Sequence, residues 1–252
     1  MNILIYAIIL RFLMSCHGSV VPLGVGTQTR IIDGSVIDIE KAPYQAQYEH
    51  IGIPTCGATI ISPAYALTAA HCTIRSIVSL VTIRVGSSTR AHGGSMHDAV
   101  FIIRHERYSA SPTIEYDIAI VRVAAVFMYN ERVQPLKMAT AAPQAGASAL
   151  VAGWGAAAEG GQPSAELREA RVSVLGRAAC NSSLEGRLGE ASLCAGHLGA
   201  GSGLGDRDLG GGLVSGGELV GVASWRGPHP SSPGVYADVA ALRGWVYANC
   251  GI

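Results

Sequence analysis

The sequence is poor in charged and aromatic side chains, and it has no cluster of basic residues. Charged residues make up 14% and aromatic residues 6% of the 252 residues, and the formal net charge is zero. Without a basic patch the chain lacks the electrostatic footprint of a nucleic-acid-binding protein, so we expect no nucleic-acid partner. It also lacks an apolar segment of membrane-spanning length that is free of charges and turn residues, so we expect no membrane insertion.

Glycine and short apolar runs are plentiful instead. The chain contains 32 glycines, and 49% of its residues are apolar. Apolar or alternating runs recur between turn residues, a pattern that predicts an all-β fold of antiparallel strands. The run GLVSGGELVGV predicts a hairpin with Gly216 and Gly217 at its turn. Only VAALRGWVYANC near the end predicts a helix, with Val239, Leu242, Val246 and Trp245 on one face.

The first 18 residues have the features of a secretory signal peptide. MNILIYAIIL is apolar but too short to span a bilayer, and small residues follow it around Gly18. We therefore expect residues 1–18 to be removed and the mature protein to be secreted to the extracellular space.

From Ile31 to the C-terminus the chain resembles the trypsin-like (S1) serine protease family. The resemblance rests on segments that occur in the family's order and at its spacing: RIIDG, PYQAQ, CGATIISPAYALTAAHC, YDIAIVRV, VAGWG, SLCAGHL, DLGGGLV, ASW and PGVYADV. It implies two packed six-stranded antiparallel β-barrels with a C-terminal helix, and a site in the cleft between them. It also implies a propeptide at residues 19–30, a protease-like domain at 31–252 and a join between the barrels near 136–148.

The family's chemistry requires a histidine base, an aspartate that orients it and a serine that attacks. His71 in TAAHC and Asp117 in YDIAI match the first two, and Ser224 in ASW matches a family serine beside that aspartate. The nucleophile position holds Leu209, whose alkyl side chain has no lone pair and no ionisable proton. We therefore expect His71, Asp117 and Leu209 to be a vestigial triad and the protein not to be an enzyme.

Neighbouring positions also depart from the family pattern. Gly203 stands where trypsins carry an aspartate for a basic substrate side chain, and Arg207 stands at a glycine whose N–H helps to stabilise the oxyanion. The resemblance thus implies a former oxyanion hole at Arg207 and Leu209. It also implies a former specificity pocket formed by Gly203, Leu204, Ser224, Arg226 and Gly234.

Several interpretations of this region stay open. His71 and Asp117 are either retained as a buried polar pair or still work in acid–base chemistry. Arg226 and Arg207 either bind an acidic group, or they arose by neutral mutation in a pocket that catalysis no longer constrains. A neighbouring serine, Ser202 or Ser215, could replace the nucleophile only within hydrogen-bond reach of His71.

The activation residues of the family are all present. Arg30 precedes Ile31 as at a zymogen cleavage site, and Asp208 matches the aspartate that pairs with the new N-terminal ammonium. Because a buried carboxylate without a partner is costly, a zymogen-to-mature switch is one interpretation and simple inheritance is the other.

The resemblance implies two disulfides, Cys56–Cys72 and Cys180–Cys194. Cys250 is left over, which suggests either a disulfide-linked dimer or a free thiol. Asn181 begins an N-glycosylation sequon that we expect on a surface loop. The histidines show no metal-ligand spacing, so we expect no metal and no cofactor.

The sequence therefore favours a secreted, non-catalytic serine protease homologue that acts by binding. The partner would be another extracellular protein, namely a protease, an inhibitor or a protease substrate, in the regulation of proteolysis or immunity. Two alternatives remain, a hydrolase with residual or relocated catalysis and a module that binds a glycan or another surface component.

Overall fold

The computed structural model describes residues 34–111, 113–156, 161–197, 203–205, 207–229 and 232–252. The predicted signal peptide and propeptide, with Arg30 and Ile31, lie outside these residues, as does Ser202. Their predicted boundaries stay predictions.

Two closed antiparallel β-barrels make up most of the structure, as predicted. The first barrel has the strand order β2-β3-β4-β7-β6-β5. Its strands are β2 (Gln45–His50), β3 (Ile53–Ser62), β4 (Tyr65–Thr68), β5 (Val81–Val85), β6 (Ser95–Arg104) and β7 (Ala119–Val123). Alternation in β5, where Val81, Ile83 and Val85 are buried and the residues between them less so, shows why this sequence forms a half-buried strand.

The second barrel closes through a pairing of β8 with β9, and a short edge strand extends it. Its strands are β1 (Ser35–Val36, the edge strand), β8 (Ser148–Gly153), β9 (Arg168–Leu175), β10 (Ser192–Gly196), β11 (Gly212–Ser215), β12 (Glu218–Arg226) and β13 (Gly234–Asp238). The predicted hairpin joins β11 to β12, and both turn residues have positive φ, 59° at Gly216 and 80° at Gly217. Glycine adopts these angles without a steric penalty, which is why the turn forms there.

Two helices complete the fold, α1 (Arg177–Ser183) and α2 (Val239–Cys250). The Asp238 side chain accepts the Ala241 N–H at the start of α2, and Gly251 ends the helix at φ 71°. Its buried face carries Val239, Leu242 and Val246, as predicted, and Trp245 is partly buried against the same cluster.

A shared hydrophobic cluster holds the two barrels together. Leu67 and Ile120 of the first barrel pack in one cluster with Leu219 and Val222 of the second and with Val246 of α2. Each barrel also has a core of its own. The cleft therefore lies between two barrels that share a hydrophobic cluster. This shared packing holds the side chains that face the cleft in place.

Candidate functional site

His71 and Asp117 are placed side by side by the pairing of two neighbouring strands. Thr68 at the end of β4 lies opposite Ala119 at the start of β7, and both functional residues lie just beyond this pair. The backbone N–H of His71 donates to Asp117 Oδ1 at 2.8 Å, and His71 Nδ1 lies 2.7 Å from Asp117 Oδ2. The aspartate side chain is 2% exposed and the histidine side chain 28%. One edge of the imidazole is thus anchored while the ring still reaches solvent.

Ser224 connects this pair to the second barrel. Its Oγ donates to Asp117 Oδ2 at 2.6 Å from strand β12. Asp117 therefore accepts three hydrogen bonds, and the one to Nδ1 assigns the ring proton of a neutral His71 to that nitrogen. His71 Nε2 then carries a free lone pair, the requirement for a general base. Cys72 Sγ lies 3.4 Å from Nε2, and that sulfur belongs to a disulfide rather than a thiolate.

Leu209 lies on the loop that leads into β11, and the backbone of this loop is fixed by the first barrel. Gly57 N–H of β3 donates to the Leu209 carbonyl at 2.8 Å. The next residue, Gly210, has φ 87°, and a Cβ there would lie 2.5 Å from the Gly57 carbonyl oxygen, so glycine is required. The Leu209 side chain is half-buried against the core of the second barrel.

No described serine replaces the missing hydroxyl. Ser215 lies at the hairpin end of β11, where its Oγ donates to the Ser148 carbonyl at 2.9 Å. Ser224 is committed to Asp117. Within the described residues, the imidazole of His71 therefore has no serine hydroxyl as a hydrogen-bond partner.

Arg207 adopts a backbone conformation that suits glycine. Its φ is 77°, in the left-handed region, where a residue with a side chain is strained by about 1 kcal/mol. The side chain is exposed, and its Nη1 donates to the Pro54 carbonyl at 3.1 Å. This geometry agrees with the sequence argument that the position normally carries a glycine.

Asp208 is buried and held by backbone amides. Gly155 N–H donates to Oδ1 at 2.7 Å and Gly205 N–H to Oδ2 at 2.8 Å. A Cβ on Gly153 would lie 2.0 Å from Asp208 Oδ1, so the glycine of the VAGWG segment makes room for this carboxylate. The predicted ion pair with the Ile31 ammonium lies outside the described residues and stays a prediction.

The residues of the predicted former pocket lie together in the second barrel. Leu204 is 7% exposed, and a Cβ on Gly234 would meet its Cδ1 at 2.8 Å. A Cβ on Gly203 would likewise lie 2.8 Å from Val172 Cγ1. Arg226 is half-buried at the end of β12, where it pairs with Gly234 of β13. Leu204 therefore occupies space next to Gly234 that a small residue would leave open.

A cavity at Trp225 was not predicted from the sequence. It measures about 170 Å³ and is lined by Ala110, Thr113, Ile114, Arg187 and Trp225. Trp225 Nε1 is buried and, among the described residues, has no hydrogen-bond partner. In the sequence, only Trp225 could have indicated this cavity. The loop residues that face Trp225 come from a distant part of the chain, so no local pattern brings them together.

Both predicted disulfides are confirmed, Cys56–Cys72 and Cys180–Cys194. Cys250 is a free, half-buried cysteine, and burial raises the pKa of its thiol. The expectation of a loop at Asn181 is wrong, because this residue lies in α1 and its Oδ1 accepts the Leu188 N–H at 3.1 Å. An asparagine carbonyl that bonds locally suits the end of a short helix as well as a loop.

The comparisons with known proteins match nearly the whole chain. The family model described as Trypsin matches residues 31–246. The chain is 37% identical to trypsin alpha-4 of Lucilia cuprina over 95% of its own length and 96% of that protein. It is 36% identical to trypsin delta of Drosophila melanogaster over 97% and 98% of the two chains.

Solved structures agree on the fold. A structure of mouse neuropsin, described as a serine protease expressed in the limbic system, superposes with a TM-score of 0.78 and 24% identity. The match covers 86% of this chain and 98% of neuropsin. Among the described residues, no helix is both long and apolar enough to cross a membrane.

These findings contradict the expectation that the protein is not an enzyme, because the relatives that match along the whole chain are named trypsins. The expectation gave too much weight to one side chain. In proteases that keep their oxyanion hole and substrate-binding site, the loss of one triad member still leaves about 10³–10⁴-fold catalysis over water. A leucine at position 209 therefore removes one way of attacking a peptide bond and does not by itself exclude an enzyme. The chain belongs to the trypsin family of serine proteases.

Proposed function

We propose that the protein is secreted and acts in the regulation of extracellular proteolysis by binding a polypeptide in the cleft between its barrels. The observation that carries this proposal is the intact network of His71, Asp117 and Ser224, which joins the two barrels at the cleft. A buried carboxylate with three donors is a rigid support, so the cleft has a fixed shape and a half-exposed imidazole. The partner would be a protease, an inhibitor or a protease substrate.

The cavity at Trp225 supports a polypeptide as the ligand. Ile114 and Trp225 provide apolar surface, and the buried Trp225 Nε1 is a donor without an acceptor among the described residues. An extended peptide offers both an apolar side chain and backbone carbonyls, which together match such a wall. Leu204 fills the space beside Gly234, so we propose that side chains bind along the cleft rather than in a deep pocket there.

A second candidate function is peptide hydrolysis by a water molecule that His71 activates. The distance of 2.7 Å between His71 Nδ1 and Asp117 Oδ2 favours it, since this pair orients Nε2 as a base. Nε2 would take a proton from water while the oxygen attacks the scissile carbonyl carbon. When the tetrahedral intermediate collapses, the C–N bond breaks and the imidazolium returns the proton to the leaving amine. The trypsin relatives make this chemistry the natural one to measure.

The experiment uses the secreted protein cut after Arg30, with Ile31 confirmed as the new N-terminus. Peptide binding is measured by fluorescence anisotropy and turnover by mass spectrometry, both with the same mixed peptide library. Saturable binding by the native protein supports the first function, and the absence of any binding contradicts it. Turnover that His71→Ala abolishes supports the second.

A Leu209→Ser variant serves as the matched reference for chemistry. It places a hydroxyl on a loop whose backbone Gly57 already fixes. If His71 is a competent base, this variant gains turnover over the native protein. No gain would mean that the changes at Gly203, Arg207 and Arg226 also prevent catalysis by a serine.

A further inference from the structure

Two arginines from different barrels share one backbone acceptor at the edge of the cleft. Arg207 Nη1 donates to the Pro54 carbonyl at 3.1 Å, and Arg90 Nη2 donates to the same oxygen at 3.2 Å. A guanidinium has five N–H donors, so one carbonyl leaves most of the donors of both groups unused. Over the described ranges, neither side chain makes an ion pair with a carboxylate.

The acidic residue whose charge acts on Arg90 does not neutralise this pair. The Glu49 side chain is fully buried and forms an ion pair with Arg84, whose Nε lies 2.6 Å from Glu49 Oε1. Burial and then the charge of Arg207 lower the pKa of Arg90, whereas Glu49 raises it. Two like charges converge on one point, so an anion placed between them would relieve their repulsion.

The sequence and the contacts place this pair beside the catalytic positions. Arg207 precedes Leu209 by two residues, and Pro54 precedes Cys56 by two. Cys56 is bonded to Cys72, the neighbour of His71. These links connect the pair to Leu209 and to His71, so we take a polypeptide bound at His71 to extend as far as the two guanidiniums.

We propose that Arg90 and Arg207 form a subsite for an acidic side chain of the polypeptide bound in the cleft. This inference rests on the proposed function and gives it a substrate class, namely segments with Glu or Asp next to the position that faces His71. A carboxylate has two oxygens that match the planar donors of a guanidinium. Arg207 has a left-handed backbone, a conformation that suits glycine better than arginine. The hydrogen bond from its side chain to the Pro54 carbonyl holds the guanidinium next to Arg90.

The test compares two fluorescein-labelled octapeptides that differ only in a central pair of residues, Glu-Glu in one and Gln-Gln in the other. Both are titrated by anisotropy into the native protein and into Arg90→Gln, Arg207→Gln and the double variant. Arg171→Gln is the matched control, because Arg171 is exposed on β9 and its side chain bonds only Ser148 among the described residues. Thermal unfolding of each variant shows that it is folded.

We expect the native protein to bind the Glu-Glu peptide about fivefold more tightly than the Gln-Gln peptide, the size of a partly exposed ion pair. The preference should fall in each single variant, vanish in the double variant and persist in Arg171→Gln. It should also decline as NaCl rises from about 50 mM to about 200 mM, since salt screens exposed charges.

Three results would overturn the subsite. Equal affinity for the two peptides would rule out the acidic subsite but would leave the proposal of polypeptide binding intact. If the protein bound neither peptide, both the acidic subsite and the proposed function would be ruled out. Binding of a sulfated heparin octasaccharide that the double variant loses, without a preference between the peptides, would assign the arginines to a polyanionic glycan instead.

Discussion

Ser224 of the second barrel and Asp117 of the first are joined by a hydrogen bond of 2.6 Å between the serine Oγ and the carboxylate Oδ2. Both residues are nearly inaccessible to solvent. The bond therefore ties the two barrels together at the point where the cleft presents His71. Stability and site geometry depend on the same contact.

The first prediction concerns this contact. Ser224→Ala removes one of three donors to a buried carboxylate, and we expect it to lower the free energy of unfolding by about 2 kcal/mol. Ser215→Ala is the matched control, because among the described residues the Ser215 hydroxyl bonds only a backbone carbonyl at the hairpin end of β11, and it should change stability by about 0.5 kcal/mol or less. Urea unfolding measures both, and equal losses would contradict the role assigned to Ser224.

The second prediction concerns the packing of Leu204 against Gly234. Leu204→Ala should lower the free energy of unfolding by about 2–5 kcal/mol, because it opens a cavity in the core of the second barrel. An apolar cavity of this kind stays dry and binds small aromatic molecules, so benzene should raise the unfolding temperature of the variant but not of the native protein. Leu80→Ala, at an exposed leucine, should have little effect on stability. A Leu204→Ala variant as stable as the native protein would show that the space beside Gly234 is not filled by this side chain.

The third prediction concerns the backbone at Arg207. Arg207→Gly should raise the free energy of unfolding by about 1 kcal/mol, because glycine adopts φ 77° without the penalty that arginine has. The control, Arg171→Gly on strand β9, should instead lower it by about 0.5–1 kcal/mol, since Arg171 is not at a positive φ. If both variants lose stability equally, the left-handed conformation at 207 is not a source of strain.

The fourth prediction concerns pH. His105 is stacked between the rings of Tyr116 and Trp245, with centroids 4.8 Å away in each case. Burial lowers the pKa of His105, Glu106 raises it and Arg107 lowers it further. The folded state thus binds this proton less readily than the unfolded state, whose histidine keeps a pKa near 6.5. Stability from this group is full above that value and declines as the pH falls from about 6.5 towards the folded pKa.

The variant that tests this effect is His105→Phe, which keeps a ring between Tyr116 and Trp245 but cannot take up a proton. Its free energy of unfolding should fall less steeply than that of the native protein between about pH 7 and pH 5. Chemical unfolding at several pH values gives both slopes. The same slope in both proteins would show that His105 does not contribute to acid sensitivity.

Much of the fold was predictable because its signals are local. The strand β5 shows its alternation in five consecutive residues, and the Gly216-Gly217 turn and the apolar face of α2 can be identified in short segments. The arrangement of the strands into two closed barrels came instead from the resemblance to a family. The pairing of Thr68 with Ala119 that joins His71 to Asp117 links residues far apart in the chain, and local patterns do not specify it.

The features that the sequence did not reveal are long-range contacts. The shared carbonyl of Pro54 joins side chains from positions 90 and 207, and the cavity at Trp225 needs a loop more than a hundred residues away. Asn181 lies in α1 and its side chain accepts the backbone N–H of Leu188, and a sequon pattern shows neither feature. The inference about enzyme activity failed for a related reason, since it weighed a few local departures, position 209 above all, against a similarity that spans the chain.

The most direct measurement of whether the cleft binds polypeptide is NMR of the His71 imidazole during titration with the Glu-Glu octapeptide. The resonances are assigned by their loss in His71→Gln. We predict that they shift saturably, with the same Kd as the anisotropy titration, because the ring is 28% exposed at the cleft. Peptide binding that saturates while the His71 resonances stay unchanged would place the peptide elsewhere and contradict the account.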